Sequence, residues 1–342
     1  MTYSKIILAG DIGGTNANFC IADISKNTPK LYYQSQESTR SVTEITTLAN
    51  RFLEQASDEG YTPTRAVLAI AGPVEVRKGY QRVKMTNTNI IIDSHKFIKS
   101  TGVKKLLLMN DFDAISFATN VLRKKDYIIL NKGKPASQAT KAVLGAGTGL
   151  GKNILYFNIN LNAYVPIPSE GGNSDLPLLD KNELEMAKYI KRIRKLKRNL
   201  YYEDILSGLG LESLYKYLRS NKYKRYPKQL SAQDISLTRT TNKCSNRTFE
   251  LFVKYFSRCA RNFALDTLSR GGLYIAGGIA AKNPDAFGEF RKEFVKNEVY
   301  GHILRSMPVF LITNPNVGLI GAAYGGKLSK WVERDRVLCP SI

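Results

Sequence analysis

The heptad Gly10-Asp11-Ile12-Gly13-Gly14-Thr15-Asn16 follows the apolar run Ile6 to Ala9. Adjacent glycines let a backbone turn approach a phosphate with no Cβ in the way. The amides of Gly10, Gly13, Gly14 and Asn16, with the Thr15 hydroxyl, can then hold phosphate oxygens. Asp11 adds a carboxylate where a Mg²⁺ ion beside those phosphates would need an oxygen ligand, directly or through water. Apolar residues resume at Ala17, so the motif lies between two strands. It is therefore neither a P-loop, which needs Gly-Lys-Ser/Thr, nor a dinucleotide fingerprint, which opens a helix. The competing reading is an ordinary hairpin turn.

A second glycine turn, Gly145-Ala146-Gly147-Thr148-Gly149-Leu150-Gly151, also stands between two apolar runs. Gly147, Thr148 and Gly149 could contact a nucleotide's phosphates from the opposite side. Ala276-Gly277-Gly278-Ile279 follows a third apolar run, and close backbone approach at Gly277 and Gly278 could line the adenosine. Asn110-Asp111-Phe112 ends the run Lys104 to Met109. A carboxylate at the C-terminal edge of a parallel sheet is well placed for chemistry. Asp111 could take the proton of an attacking hydroxyl, with Asn110 bonding a neighbouring hydroxyl. The alternative is an Asp that caps a helix beginning near Asp113. In Ser169-Glu170-Gly171-Gly172-Asn173, Glu170 and Asn173 can converge on one polyhydroxylated ligand. Glu203 is a further acceptor, or else a surface carboxylate at a helix start.

The elements that must position these groups alternate. Strands are expected over 4–10, 17–24, 65–71, 104–109, 141–147, 153–158 and 271–279, with a turn at Asp11–Gly14. Helical spacing covers 44–56, 113–122, 181–200, 210–221, 246–269 and 319–333. Strand, glycine turn, strand occurs twice, at 6–24 and 142–158, as in a duplicated architecture. Such alternation implies a largely parallel α/β protein.

The 342 residues suffice for one large domain or two moderate ones. The formal charge of +22 invites a nucleic-acid or anionic-surface reading. No nucleic-acid motif accompanies it, so a lysine-rich surface with anionic small ligands is the expectation. The basic run 188–199 is read as a solvated amphipathic helix, with Met186, Ile190, Ile193, Leu196 and Leu200 on one face. Cys20, Cys244, Cys259 and Cys339 are scattered, without zinc spacing, and suit a reducing compartment. No run of about 18 apolar residues suggests a membrane span, and none resembles a signal peptide. A soluble, cytoplasmic protein is expected.

Taken in order, the motifs resemble the bacterial glucokinase family of the actin-like ATPase superfamily. The resemblance runs through GDIGGTN (10–16), AIAGPV (69–74), KMTNTN (84–89), NDF (110–112), GAGTGLG (145–151), EGG (170–172), ED-ILSGLG (203–210), AGGI (276–279) and NPNVGLIGAA (314–323). It implies a two-domain α/β, ribonuclease H-like fold with the active site in the interdomain cleft. The small domain would comprise 1–121 plus 316–342, and the large domain 122–315. The implied activity is phosphoryl transfer from MgATP to the 6-hydroxyl of a hexose, glucose first. Asp111 would be the base, and Asn110, Glu170 and Glu203 the sugar ligands. Residues 10–16 and 147–151 would be the phosphate loops, and a homodimer is implied by analogy. Three stretches depart from the family pattern. Asn173 replaces a usual His, Thr86-Asn87-Thr88-Asn89-Ile90 replaces Thr-Asn-His-x-Trp, and Ser207-Gly208-Leu209-Gly210 replaces Ser-Gly-Pro-Gly. By the resemblance all lie on the sugar side or near it, so mannose or an N-acetylhexosamine is the alternative substrate. A catalytically silent actin-like regulator that binds sugar or nucleic acid is the reading from another class.

Overall fold

In the computed structural model, residues 5–77, 79–86 and 88–329 are described. Asn87, Cys339 and the end of the last expected helix lie outside the described residues. The chain divides into two compact units. One contains the described residues of Met1–Arg123, Phe157–Pro168 and Pro315–Ile342, the other Lys124–Tyr156 and Ser169–Asn314.

The first unit is built on strands β1 (Ile6–Ile12), β2 (Asn16–Asp23), β3 (Lys30–Ser38), β4 (Arg65–Ile70), β5 (Val74–Arg77), β6 (Tyr80–Lys84), β7 (Ile91–Asp93) and β8 (Lys105–Asn110). Helices α1 (Ile45–Asp58), α2 (Ser94–Thr101) and α3 (Asp111–Ala118) lie among them. The main sheet runs β3-β2-β1-β4-β8, and β5-β6-β7 form a smaller one. β1, β4 and β8 are parallel, and β2 turns back antiparallel on β1. Successive side chains of a strand point to opposite faces. Leu8 and Ile12 of β1 therefore join the core beneath α1 and α2 with Phe19, Phe52, Leu68 and Phe97. Ile7 and Ala9 join the other, with Val67, Met109 and Phe117. Both faces are buried, so β4 reads as a continuous apolar run.

β1 extends two residues beyond the expected strand. Ile12 pairs with Ala17 and Asp11 with Asn18, so Asp11 belongs to the ladder rather than to the turn. The cap of α3 differs from the alternative reading of Asp111 as a capping residue. Asn110, not Asp111, caps it, accepting from the Phe112 N–H at 2.9 Å, and the helix starts at Asp111.

The second unit repeats the plan. Its sheet combines β9 (Tyr127–Asn131), β10 (Lys141–Ala146), β11 (Leu150–Asn158), β12 (Ala163–Ser169), β13 (Gly272–Ala276) and β14 (Val309–Ile312) in the order β12-β11-β10-β13-β14-β9. β10 and β11 form the second glycine-turn hairpin, and β10, β13 and β14 are parallel. Residues 157–168, which take in the last two residues of β11 and all of β12 but Ser169, group with the first unit. Helices α4 (Lys181–Arg194), α5 (Gly208–Asn221), α6 (Ala232–Thr238) and α7 (Lys243–Thr267) come next, then α8 (Gly278–Lys282), α9 (Phe290–Phe294) and α10 (Gly301–Ser306). Their apolar sides share one core with Leu144, Phe252, Phe256, Ile275 and Phe290. α4 stops at Arg194 because Lys195 turns left-handed, φ 54°. Leu196 and Leu200 are thus off the helix, and Ile193 is exposed.

The last described helix, α11 (Val317–Leu328), belongs to the first unit and packs on α3 and β1. Its glycines make this approach possible: a Cβ at Gly321 would run into the carbonyl of Ala114, and one at Gly326 would meet Val67 Cγ2 at 2.5 Å.

Candidate active site

In the first unit the candidate groups collect along one sheet edge. Ile12, Ile70 and Asn110 are in register across β1, β4 and β8. The segments leaving these strands therefore emerge together at the C-terminal edge: the turn 13–15, the segment 71–73 and Asp111. The Gly13 N–H closes the turn on the Asn16 carbonyl at 2.9 Å, and Gly14, Thr15 and Asn16 are exposed. A Cβ at Gly13 or Gly14 would meet nothing closer than 3.5 Å. The protein's own packing does not require these glycines, and the bare turn leaves room outside it. Gly10 differs: it lies within β1, where a Cβ would come 2.6 Å from Leu68 Cδ2.

Asn110 spends one side-chain N–H on the Gly72 carbonyl at 3.1 Å and its Oδ1 on the helix amide. Asp111 Oδ1 also accepts from the Phe112 N–H at 2.9 Å. That bond favours the ionised form, but burial outweighs it and raises the Asp111 pKa. Asp11 is pushed up to about 7, chiefly by burial and then by the neighbouring Asp111 charge. The first turn of α11 lies against Asp11, since a Cβ on Gly318 would run into its carboxylate. The N-terminal pole of a helix favours an anion, yet burial dominates here. Two enclosed carboxylates raised in this way suit a divalent cation, which would compensate both charges. Among the described residues no cluster of three or more His, Cys, Asp or Glu could hold a metal alone. A Mg²⁺ ion on Asp11 would therefore need further oxygens from phosphates and water.

In the second unit the turn 147–149 is braced. The Gly147 N–H donates to the Gly149 carbonyl at 2.8 Å, and the Gly208 N–H, opening α5, donates to the Gly147 carbonyl at 2.9 Å. Glu203 Oε2 accepts from the Leu150 N–H at 2.8 Å. A Cβ on Gly149 would sit 2.6 Å from that oxygen, whereas one on Gly147 would meet nothing within 4 Å. Thr148 lies between them at the tip. Gly277 has φ 89°, and a Cβ there would run into the Ala146 carbonyl. Its glycine is explained by the fold, while Gly278 begins α8 in open space.

Glu170 and Asn173 are both exposed on a 3₁₀ turn, where the Asn173 N–H donates to the Glu170 carbonyl at 2.9 Å. This turn is zipped to the one bearing Glu203. The Tyr202 N–H donates to the Ser174 carbonyl at 3.0 Å, and Asp175 bridges Tyr201. Arg198 and Arg194 fix Asp204 beside it and hold its carboxyl below the usual range, against the opposing effect of burial. Glu170, Asn173, Glu203 and the turn 147–149 thus form one packed group. Sequence reasoning overlooks Gly318, whose only signal is the small-residue start of the last helix, and Lys152, which no motif marks.

Two sheets of one plan, each presenting a glycine turn beside its first parallel strand, define a protein of the actin-like ATPase fold in its sugar-kinase branch. The sequence matches the glucokinase family over residues 8–327, and the chain belongs to that family. A glucokinase of Nostoc punctiforme is 30% identical, the match covering 93% of this chain and 98% of that one. The crystal structure of a glucokinase from an Antarctic psychrotroph has a TM-score of 0.79 at 26% identity, covering 94% of this chain and 98% of that one. A ROK family glucokinase from Streptomyces griseus, solved with glucose and AMPPNP, shares the fold with a TM-score of 0.64 at 16% identity. That match covers 93% of this chain and 98% of the other.

Proposed function

We propose that this protein is an ATP-dependent glucose kinase that transfers the γ-phosphoryl group to the sugar 6-hydroxyl. The observation that carries this reading is Asp111, an enclosed carboxylate of raised proton affinity at the same sheet edge as the bare turn 13–15. A general base gains from a pKa moved toward working pH. Asp111 accepts the 6-hydroxyl proton as the oxygen attacks phosphorus. Asn110, anchored on Gly72 and Phe112, keeps one N–H for a neighbouring hydroxyl. Glu170 and Asn173 bind further hydroxyls, as does Glu203 through Oε1, the oxygen left when Oε2 braces Leu150. The amides of 13–16 and 147–149 stabilise charge on the phosphates. Asp11 would hold Mg²⁺, which when bound would neutralise charge spreading over the transferred group.

We infer a cytoplasmic protein. Cys20, Cys244 and Cys259 are buried free thiols, and among the described residues no helix is long and apolar enough to cross a membrane. The test is a panel of hexoses with coupled detection of ADP. Glucose should give the highest kcat/KM. Because Asn173 offers a short amide where the family commonly has an imidazole, mannose and N-acetylhexosamines belong in the panel. A higher kcat/KM for one of these would reassign the substrate, and ADP release by none would remove the kinase reading.

A further inference from the structure

Lys152 lies in β11, three residues past the braced turn, and is 6% exposed. Its ammonium stands 4.5 Å from the ring centre of Tyr202 and 5.3 Å from that of Phe263, and its charge acts on the thiol of Cys259. Burial pushes that thiol up to about 11, so it stays neutral and offers no counter-charge. Among the described residues no carboxylate pairs with Lys152. Ring faces attract a desolvated cation, but a buried ammonium without a carboxylate is an expensive way to fill space, and methionine would fill it better.

The neighbours of the ammonium explain its retention. A Cβ on Gly171 would lie 3.0 Å from Lys152 Cδ and 3.8 Å from Nζ, so the side chain is the floor of the turn bearing Glu170 and Asn173. Its other contact, Tyr202, precedes Glu203 and is fixed by the Asn262 amide at 2.9 Å. The same strand start touches both turns through its backbone: Leu150 N–H holds Glu203, and its carbonyl leaves no room for a Cβ on Gly172. One buried positive charge thus underlies two turns that together present Glu170 and Glu203.

We infer that Lys152 is a positioning residue for hexose binding: its ammonium sets the height and spacing of the Glu170–Asn173 turn and the Glu203 turn. This rests on the reading of Glu170, Asn173 and Glu203 as hexose contacts. It is tested with Lys152→Met, which keeps the length and loses the charge, and Lys152→Arg, which keeps the charge. Lys152→Met should raise the glucose KM about tenfold, as small misplacements of binding groups do, with kcat and the ATP KM changed less than about twofold. Amide exchange should quicken at Asn173, Ser174 and Tyr202, and Lys152→Arg should recover part of both effects. A folded Lys152→Met protein with wild-type glucose KM and wild-type exchange overturns the inference. So does an equal rise in both KM values alongside a lowered Tm, the signature of a general packing residue. If the wild type turns over no hexose, the kinase reading fails by itself, and exchange at the three amides alone then decides for or against Lys152.

Discussion

The two sheets share a strand plan but present edges of opposite character. At the first, Asp11 and Asp111 are enclosed together and both bind protons more tightly than free carboxylates. Among the described residues the adjoining turn 13–15 is held by backbone bonds, Gly13 to Asn16 and Thr39 to Thr15. At the second, the turn 147–149 is tied to the start of α5 and to the Glu203 side chain, and the buried charge beneath is the Lys152 ammonium. One hairpin plan thus serves two purposes. The first edge invests its capacity in ionisable side chains, the second in a backbone fixed by side chains.

The strongest way to break this comparison is Asp111→Asn. The amide preserves shape and can still accept from the Phe112 N–H, but it cannot take a proton at working pH. We expect kcat to fall by about 10²–10⁴, with sugar binding largely retained by calorimetry. Turnover within about threefold of wild type would remove the chemistry from the first edge.

Asp11→Asn sharpens the same edge through stability. The Asp11 carboxyl titrates near 3.8 when free and at about 7 in the folded, metal-free protein. Between those values the folded chain holds a proton that the unfolded chain has released. Stability therefore falls as pH rises from about 4 to about 7, and is level above. The Asp11→Asn protein should lack this slope. Melted in chelator, it should match wild type near pH 4 and exceed it near pH 8 by roughly 2–4 kcal/mol. Parallel profiles would show that Asp11 is not an enclosed charge.

How far these edges can be read from sequence depends on what each residue type announces. Glycines between two apolar runs announce the twin hairpins, and the apolar run before Asn110 announces that Asp111 leaves a strand end. Asp11 reads as part of the turn because Asp suits turns; Ile12 pairing with Ala17 carries the ladder past it. β12 is hidden because Ala163–Ser169 holds two prolines, which read as loop but are tolerated on an edge strand. The end of α4 is hidden because a left-handed lysine gives no periodic signal. Lys152 is the sharpest case. A lysine in a strand reads as solvent-facing, and only the rings of Tyr202 and Phe263, remote in sequence, make it an interior cation.

The smallest expected effects separate glycines that the fold needs from those it leaves bare. At Gly172 an added Cβ runs into the Leu150 carbonyl, a backbone atom that cannot step aside without disturbing the brace on Glu203. Gly172→Ala should cost about 1–3 kcal/mol, as overpacking does. At Gly147 nothing lies within 4 Å and the backbone is not left-handed. Gly147→Ala should leave stability within about 0.5 kcal/mol or raise it slightly by restricting the unfolded chain. Its ATP KM should nevertheless rise severalfold while its glucose KM holds, because the methyl occupies space that phosphate oxygens would use. Should Gly147→Ala bind ATP as wild type does, the turn would be a mere hairpin, and the second edge would have no part in holding the nucleotide.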